Sequence, residues 1–288
     1  MIVRKAVIPA AGFGTRFLPV TKAHPKEMLN VIDKPLIHYC VEEILGAGIS
    51  KIGIVTSRGK SALEDYFDRS PELEEFLRAK GKLDLLEEVR RIAALAEFNF
   101  IRQPEALGLG HAILMGETFV GNEPFAALTP DDIYDCRPSC TKQLVDCFGE
   151  RGATVIVLGR IDAEGTKKYG VIKPLRVSGR VFQVLDLAEK PGPERAFSDL
   201  GVLGRYVFTP RIFDAIKRTP PDDRGEIQIT DAIRVLLDEE PVYGLLFDGR
   251  RYDCGDKWGF LEATVELALK RPEFKDDLKA LIDRLSRG

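Results

Sequence analysis

Through the first half of the chain, short apolar runs alternate with amphipathic stretches. Ala6 to Ala10 is apolar throughout and stops at a glycine-rich turn, as a strand buried on both faces of a parallel sheet does. Pro35 to Gly46 instead sets Leu36, Ile37, Val41, Ile44 and Leu45 on one face at helical spacing, with Gly46 and Gly48 as stops. Lys51 to Thr56, Glu97 to Arg102 and Phe125 to Leu128 read as further strands, and Ala112 to Phe119 as a helix. Pro71 opens a longer stretch whose Leu73, Phe76, Leu77, Leu85, Leu86, Val89, Ile92 and Leu95 supply a buried side, in two helices broken near Gly81. Strand, helix, strand in this order implies a parallel sheet with right-handed crossovers.

After residue 152 the pattern becomes strand-rich. Ala153 to Arg160, Tyr169 to Lys173, Arg180 to Glu189, Val202 to Phe208 and Val242 to Asp248 are expected strands, and Thr230 or a neighbour is the expected cap of a helix running through Leu237. This half is expected to fold as a lobe over the C-terminal edge of the first sheet and make the second wall of a cleft. No Gly, Ser or Pro-rich linker separates the halves, so one domain is expected, divided at about 1–135, 153–256 and a pair of C-terminal helices at 257–288. Phe274 to Leu285 reads as a packing or oligomer helix, and Asp276, Asp277 and Asp283 argue against a membrane face.

Charge narrows the choice of partners. Lys and Arg number 42 against 45 Asp and Glu, a net −3, so no global basic field exists to hold nucleic acid or an anionic membrane. Phosphate binding has to be local. No apolar run reaches the ~20 residues of a transmembrane helix, and the N-terminus lacks the layout of a signal peptide; the expected location is the cytoplasm. Cys40, Cys136, Cys140, Cys147 and Cys254 are odd in number and fit no zinc spacing, which favours reduced thiols.

Local chemistry gathers first at Ala10-Ala11-Gly12-Phe13-Gly14-Thr15-Arg16, where small residues and two glycines allow close backbone approach and Arg16 suits a phosphate. A lone GxG serves a plain strand-to-helix turn equally well. The third glycine of a dinucleotide turn would fall at Phe17, and no lysine followed by Ser or Thr closes a P-loop. Lys26, after Pro25, adds a second cation. Gln103, at a strand end before Gly108, could read a base edge or merely cap the strand. Asp131-Asp132 at the next strand end suits a divalent ion or a solvated acidic turn. Gly170 fits a ligand approach or a bulge, and Glu189-Lys190 fits a sugar phosphate or a surface ion pair. No Ser-His or Cys-His pair stands out, and His24, His38 and His111 need no chemical role.

The segment AAGFGTRFLPVTKAHPKEML resembles the N-terminal signature of the sugar-nucleotide pyrophosphorylases, most closely the bacterial UTP:glucose-1-phosphate uridylyltransferases. The pattern G-x-G-T-R-x-L-P-x-T-x-x-x-P-K-E-M-L is matched at every fixed position from Gly12 to Leu29. RQPEALGLGHA, YGV, EKP, GRYV and GEIQITDA are similar to further family motifs, while Thr129 stands where the family usually has leucine before the L-P-D or L-G-D aspartate.

The resemblance implies an α/β, Rossmann-like nucleotidyltransferase fold of GT-A type, with a mixed, mostly parallel sheet and a smaller strand-rich sugar-binding lobe. It implies transfer of a uridylyl group from UTP to glucose 1-phosphate with release of pyrophosphate, and Mg²⁺ as cofactor. Arg16, Lys26, Asp131 and Lys190 would be catalytic. Ala10, Ala11, Gly12, Gly14, Thr15, Glu27, Gln103, Gly108 and Asp131 would bind the nucleotide, and Gly170, Glu189 and Lys190 the sugar phosphate. Asp131, and less securely Asp253, would hold the metal. A homodimer or homotetramer is expected. The rivals are the same reaction with TTP, a metal-dependent glycosyltransferase using a UDP-sugar donor, and a non-catalytic nucleotide-sugar sensor, which the intact catalytic positions disfavour.

Overall fold

A computed structural model describes residues 2–286. Numbering the strands of the main sheet in chain order, these are β1 (Lys5–Pro9), β2 (Lys51–Thr56), β3 (Glu97–Arg102), β4 (Phe125–Leu128), β5 (Val155–Arg160), β6 (Val171–Ser178), β7 (Val181–Ala188), β8 (Leu200–Phe208) and β9 (Val242–Leu246). They pair in the order β3-β2-β1-β4-β8-β5-β9-β7-β6. The first four are mutually parallel, and β8 runs antiparallel to both β4 and β5. The strand-rich second half therefore extends the first sheet instead of standing apart from it. Its far edge curls back, and a single bridge between Gly201 and Val171 joins β6 to β8, so five strands close into a ring. That ring is the expected lobe.

Alternation along the central strands builds two cores. Val7 and Val55 point into one, beneath helices Gly108–Leu114, Arg211–Arg218 and Ile229–Leu236; Ala6, Ile8, Ile52 and Ile54 point into the other, beneath Leu36–Leu45, Ser61–Phe67 and Cys140–Arg151. Nearly all of these side chains are fully buried, as a strand covered on both faces requires.

Several expectations are corrected. Helices Pro71–Ala79 and Leu83–Ala93 do break at Gly81, but of the expected apolar set only Leu77 and Leu86 are buried, while Leu73, Phe76 and Leu85 are exposed. The two helices pack mainly on each other and on Ser61–Phe67, for which one narrow stripe suffices. Ser61–Phe67, too short to show a period, is a helix the pattern missed. The expected helix from Ala112 starts earlier, at Gly108, and is interrupted at Gly116. The acidic turn after Pro130 is a strand, Asp132–Asp135, paired with Arg250–Asp253. Thr230 does not cap its helix; its hydroxyl donates to Glu189 at 2.7 Å. All five cysteines are free. The final helix, Pro272–Ser286, buries no side chain and packs on Lys257–Leu269.

Candidate active site

The C-terminal end of β1 opens into the glycine loop, and the neighbouring segment after β2 fixes that loop from behind. The Lys60 ammonium donates to the Ala10 carbonyl at 2.5 Å and the Ser57 hydroxyl to the Ala11 carbonyl at 3.0 Å. In a trans peptide the carbonyl and the following N–H point opposite ways, so these two anchors turn the Ala11 and Gly12 N–H groups toward the cleft. Among the described residues the N–H groups of Ala11, Gly12, Phe13 and Gly14 donate to no backbone carbonyl. Gly14 sits at φ 67 with Lys26 packed where its Cβ would be, whereas a Cβ at Gly12 would meet nothing within 4 Å. Gly12 leaves space for a ligand; Gly14 serves the turn.

Lys60 also pairs with buried Glu27 at 2.9 Å. Burial pushes the Glu27 carboxyl up from its ordinary range against the pull of Lys60 and Lys26, and its Oε1 is buried without a hydrogen-bond partner. Ala10 is sealed in the core and lines neither of the two cavities that open here, its backbone carrying the loop.

Two adjoining cavities open from here. One, of about 480 Å³, is lined by Ala11, Gly12, Gly14, Thr15, Lys26, Glu27, Gln103, Gly108 and Asp131. The other, of about 640 Å³, is lined by Arg16, Asp131, Gly170, Glu189, Lys190 and Asp253. Thr129, Asp131, Leu109 and Glu226 line both, so the expected site residues, Ala10 apart, meet in one place.

Asp131 is the hinge of this arrangement. Its Oδ2 pairs with Lys26 Nζ at 2.7 Å. Burial opposes its ionisation, but Lys26 and then Arg16 outweigh that cost and hold its carboxyl at about 2. Lys26, desolvated but facing Asp131 and Glu27, is correspondingly raised. Asp132, one residue on, behaves oppositely: burial, aided by the negative charges of Asp131 and Asp253, lifts it to about 6 despite its 2.6 Å contact with Arg251.

The loop carrying Asp131 is gripped from beneath. Arg205, wholly buried on β8, donates to the Thr129 carbonyl at 2.7 Å and the Asp132 carbonyl at 2.9 Å, and its guanidinium binds both oxygens of buried Glu43. This gives GRYV a reason beyond resemblance.

Asp253 reaches the same point from the strand beside Asp132. A Cβ at Gly255 would lie 3.0 Å from Asp253 Oδ1, 3.2 Å from Arg16 and 3.2 Å from Asp131 Oδ2. The Gly255 N–H donates to Asp253 and its carbonyl accepts from Arg16 at 2.9 Å. The Tyr169 hydroxyl donates to the other oxygen of Asp253, and Arg251 lies over the Tyr169 ring at 4.9 Å, its guanidinium 2.6 Å from Asp132 and 3.4 Å from Asp253. Gly255, Tyr169, Arg251 and Lys60 were not singled out from the sequence; the run Tyr252-Asp253-Cys254-Gly255 held the one usable signal, a glycine beside a candidate ligand.

On the far wall, Glu189 accepts from Thr230 and pairs with Lys190 at 3.0 Å. Lys190 is held at φ 42, an uncommon conformation for a side-chain-bearing residue and typical of constrained sites. Gly170 lies close under both Thr230 and Glu189, so a side chain there would crowd the wall. Gly108 and Gly110 are glycines for a different reason: Cβ atoms there would strike the backbone of Ile227, which exchanges hydrogen bonds with Leu107 and Gly110 at 2.8 Å. GLG and GEIQ thus fit each other.

The chain matches known proteins over nearly its whole length. Residues 5–270 match the nucleotidyl transferase family. The chain is 49% identical over 281 residues to a Bacillus subtilis protein named UTP–glucose-1-phosphate uridylyltransferase YngB, covering 98% of this chain and 95% of that one. A Staphylococcus epidermidis UTP–glucose-1-phosphate uridylyltransferase is 49% identical over 283 residues, covering 98% of each. Among solved structures, a UDP-glucose pyrophosphorylase complexed with UDP-glucose superposes with a TM-score of 0.86 at 42% identity, over 94% of this chain and all of the other. UTP-bound UGPase from Acinetobacter baumannii superposes at 0.90 with 37% identity, over 98% of this chain and 99% of that one.

Proposed function

The chain belongs to the nucleotidyl transferase family, and we propose from that premise that it transfers the uridylyl group of UTP to α-D-glucose 1-phosphate, giving UDP-glucose and pyrophosphate. The observation that carries the reading is the pair of cavities meeting at Asp131, one walled by the glycine loop and Gln103, the other by Gly170, Glu189 and Lys190. On this reading residues 1–135 hold the nucleotide, 153–256 the sugar phosphate, and 257–288 support them. The TTP alternative is not favoured: a putative glucose-1-phosphate thymidylyltransferase from Bacillus anthracis is only 23% identical, a likeness that speaks for the fold alone.

A phosphate oxygen of glucose 1-phosphate attacks the α-phosphorus of UTP, forming one P–O bond as the bond to the β-phosphate oxygen breaks and pyrophosphate leaves. The attacking group has a second pKa near ~6 and is already ionised at neutral pH, so no general base is needed. The work left to the protein is positioning and charge. The free N–H groups of the glycine loop and Lys26 take the triphosphate, Arg16 stands between the two substrates, and Lys190 steers the incoming phosphate. Gln103 meets the base, while Glu189 and Gly170 meet sugar hydroxyls. Asp131 and Asp253 present hard carboxylate oxygens to one point and would hold Mg²⁺, which keeps only one or two protein ligands. When bound there, the ion supplies neutralisation of the phosphate charges.

The test is direct: purified protein, UTP, glucose 1-phosphate and Mg²⁺, with pyrophosphate release followed, then UTP and TTP in competition. Preference for TTP would overturn the assignment. Lys190→Ala is expected to raise KM for glucose 1-phosphate about tenfold, the worth of one charge-assisted contact, with KM for UTP nearly unchanged. Gly255→Ala should raise the Mg²⁺ concentration for half-maximal rate about tenfold, because its methyl would sit between the two carboxylates; Mn²⁺ binding followed by electron paramagnetic resonance checks this without turnover.

Among the described residues no helix is long and apolar enough to cross a membrane. A homodimer or homotetramer in the cytoplasm completes the proposal, supported by exposed Trp258, Leu261 and Leu285 on the C-terminal helices.

A further inference from the structure

Gln103 can face a base with either end of its amide, and the two ends select different bases. Its Nε2 lies 2.9 Å from His111 Nδ1 and 3.4 Å from the Gly108 carbonyl. A carbonyl can only accept, so the NH₂ end must face it, and His111 must then accept through a bare Nδ1 and carry its proton on Nε2. The amide oxygen is left over. It takes no hydrogen bond from the described residues, is not sealed off as a buried orphan, and belongs to a residue lining the nucleotide cavity. His111 itself is fixed by its helix, whose first turn is bonded to Ile227.

We propose that His111 is a specificity-setting positioning residue: by accepting from Gln103 it pins the amide with Oε1 toward the base, so that the site takes uracil and rejects cytosine. Uracil offers an N3–H donor to that oxygen, whereas cytosine offers a lone pair at N3 and leaves two acceptors opposed. A site that hydrogen-bonds one edge rejects an analogue lacking it, because its own polar group is left unpaired. Thymine has the same N3–H, so His111 discriminates UTP from CTP and not UTP from TTP. The proposal rests on the uridylyl reading above.

The experiment compares kcat/KM for UTP and CTP, by pyrophosphate release with glucose 1-phosphate, in the wild-type protein, His111→Leu and His111→Asn. Leucine removes the acceptor, and the UTP-over-CTP ratio is expected to fall about tenfold, the worth of about one hydrogen bond. Asparagine can place its Oδ1 near the position of Nδ1 and is expected to keep the ratio within about threefold of wild type. A folded leucine variant with the wild-type ratio, or an asparagine variant that loses as much as leucine, would overturn the proposal. A measurement independent of any variant is the nitrogen-15 spectrum of the wild-type imidazole, which should show Nε2 protonated and Nδ1 bare; the proton on Nδ1 would refute the assignment. Wild-type protein inert with UTP would remove the uridylyl reading itself, whereas UTP turnover with an unchanged ratio in the leucine variant removes only the role of His111.

Discussion

Asp131→Asn lowers kcat/KM about a thousandfold and leaves the fold in place. The rate effect follows from position: among the described residues Asp131 is the one carboxylate that lines both cavities while touching Lys26, which on the proposed reading is where the two anionic substrates meet. Losing an electrostatic group at such a point costs about 10²–10³ in rate, and on the proposed reading the loss of a ligand to the divalent ion adds to that. The fold survives because the loop does not depend on this side chain, being held through the carbonyls of Thr129 and Asp132 by Arg205. Asparagine also keeps the shape. At neutral pH the native carboxyl is fully ionised, with its pKa depressed to about 2, so the variant removes a whole charge at any working pH. Its stabilising pairing with Lys26 is present above the ordinary carboxylate range and fades only as pH falls toward 2. A melting temperature within about 4 °C of wild type, together with the collapse in kcat, is the expected pair of results. Activity within tenfold of wild type would remove Asp131 from the centre of the site.

Arg205→Met is the substitution with the largest expected cost in stability, about 3–5 kcal/mol. Arg205 is completely buried, and its guanidinium is the counterion of Glu43, whose Oε1 also accepts from the backbone and hydroxyl of Thr141. Methionine fills similar space but leaves the Glu43 carboxylate uncompensated in the core and frees the Thr129 and Asp132 carbonyls. Stability and catalysis then fall together, because the freed carbonyls flank Asp131. Denaturant unfolding and kcat measured on the same protein check both halves. The double variant Arg205→Met, Glu43→Leu should recover part of the stability, since no lone charge remains, but not the activity, since the loop stays unclamped. Recovery of activity with stability would show that the clamp does not matter.

The parallel half was readable because β1, β2 and β4 are buried on both faces and therefore unbroken in hydrophobicity, with little room for another interpretation. Misreadings fell where burial is one-sided or borrowed. Leu73, Phe76 and Leu85 look like core by spacing, yet their helices pack mainly on each other and on Ser61–Phe67, and spacing carries no information about how many neighbours a helix will have. Asp132–Asp135 reads as an acidic turn because its partner strand, Arg250–Asp253, lies more than a hundred residues away and supplies the cation that makes Asp132 tolerable inside.

By itself the sequence determined the chemistry on offer: a small-residue loop at a strand end, cations at Arg16, Lys26 and Lys190, carboxylates at Asp131 and Asp253, and an amide at Gln103, all but Lys26 shortly after or at a strand end. Local spacing is enough for that, since most of these groups follow closely on the strand that presents them, and Lys26 is tied to the loop by the Pro25-Lys26 stretch that follows it. Which way each group faces was decided by tertiary structure alone. Lys60 and Ser57 turn the loop's N–H groups outward, Arg205 lifts Asp131 into the cleft, Gly255 leaves the gap between two carboxylates, and His111 orients Gln103. Orientation is fixed by hydrogen bonds from other segments, and a linear pattern does not encode which of many polar residues will arrive to make them.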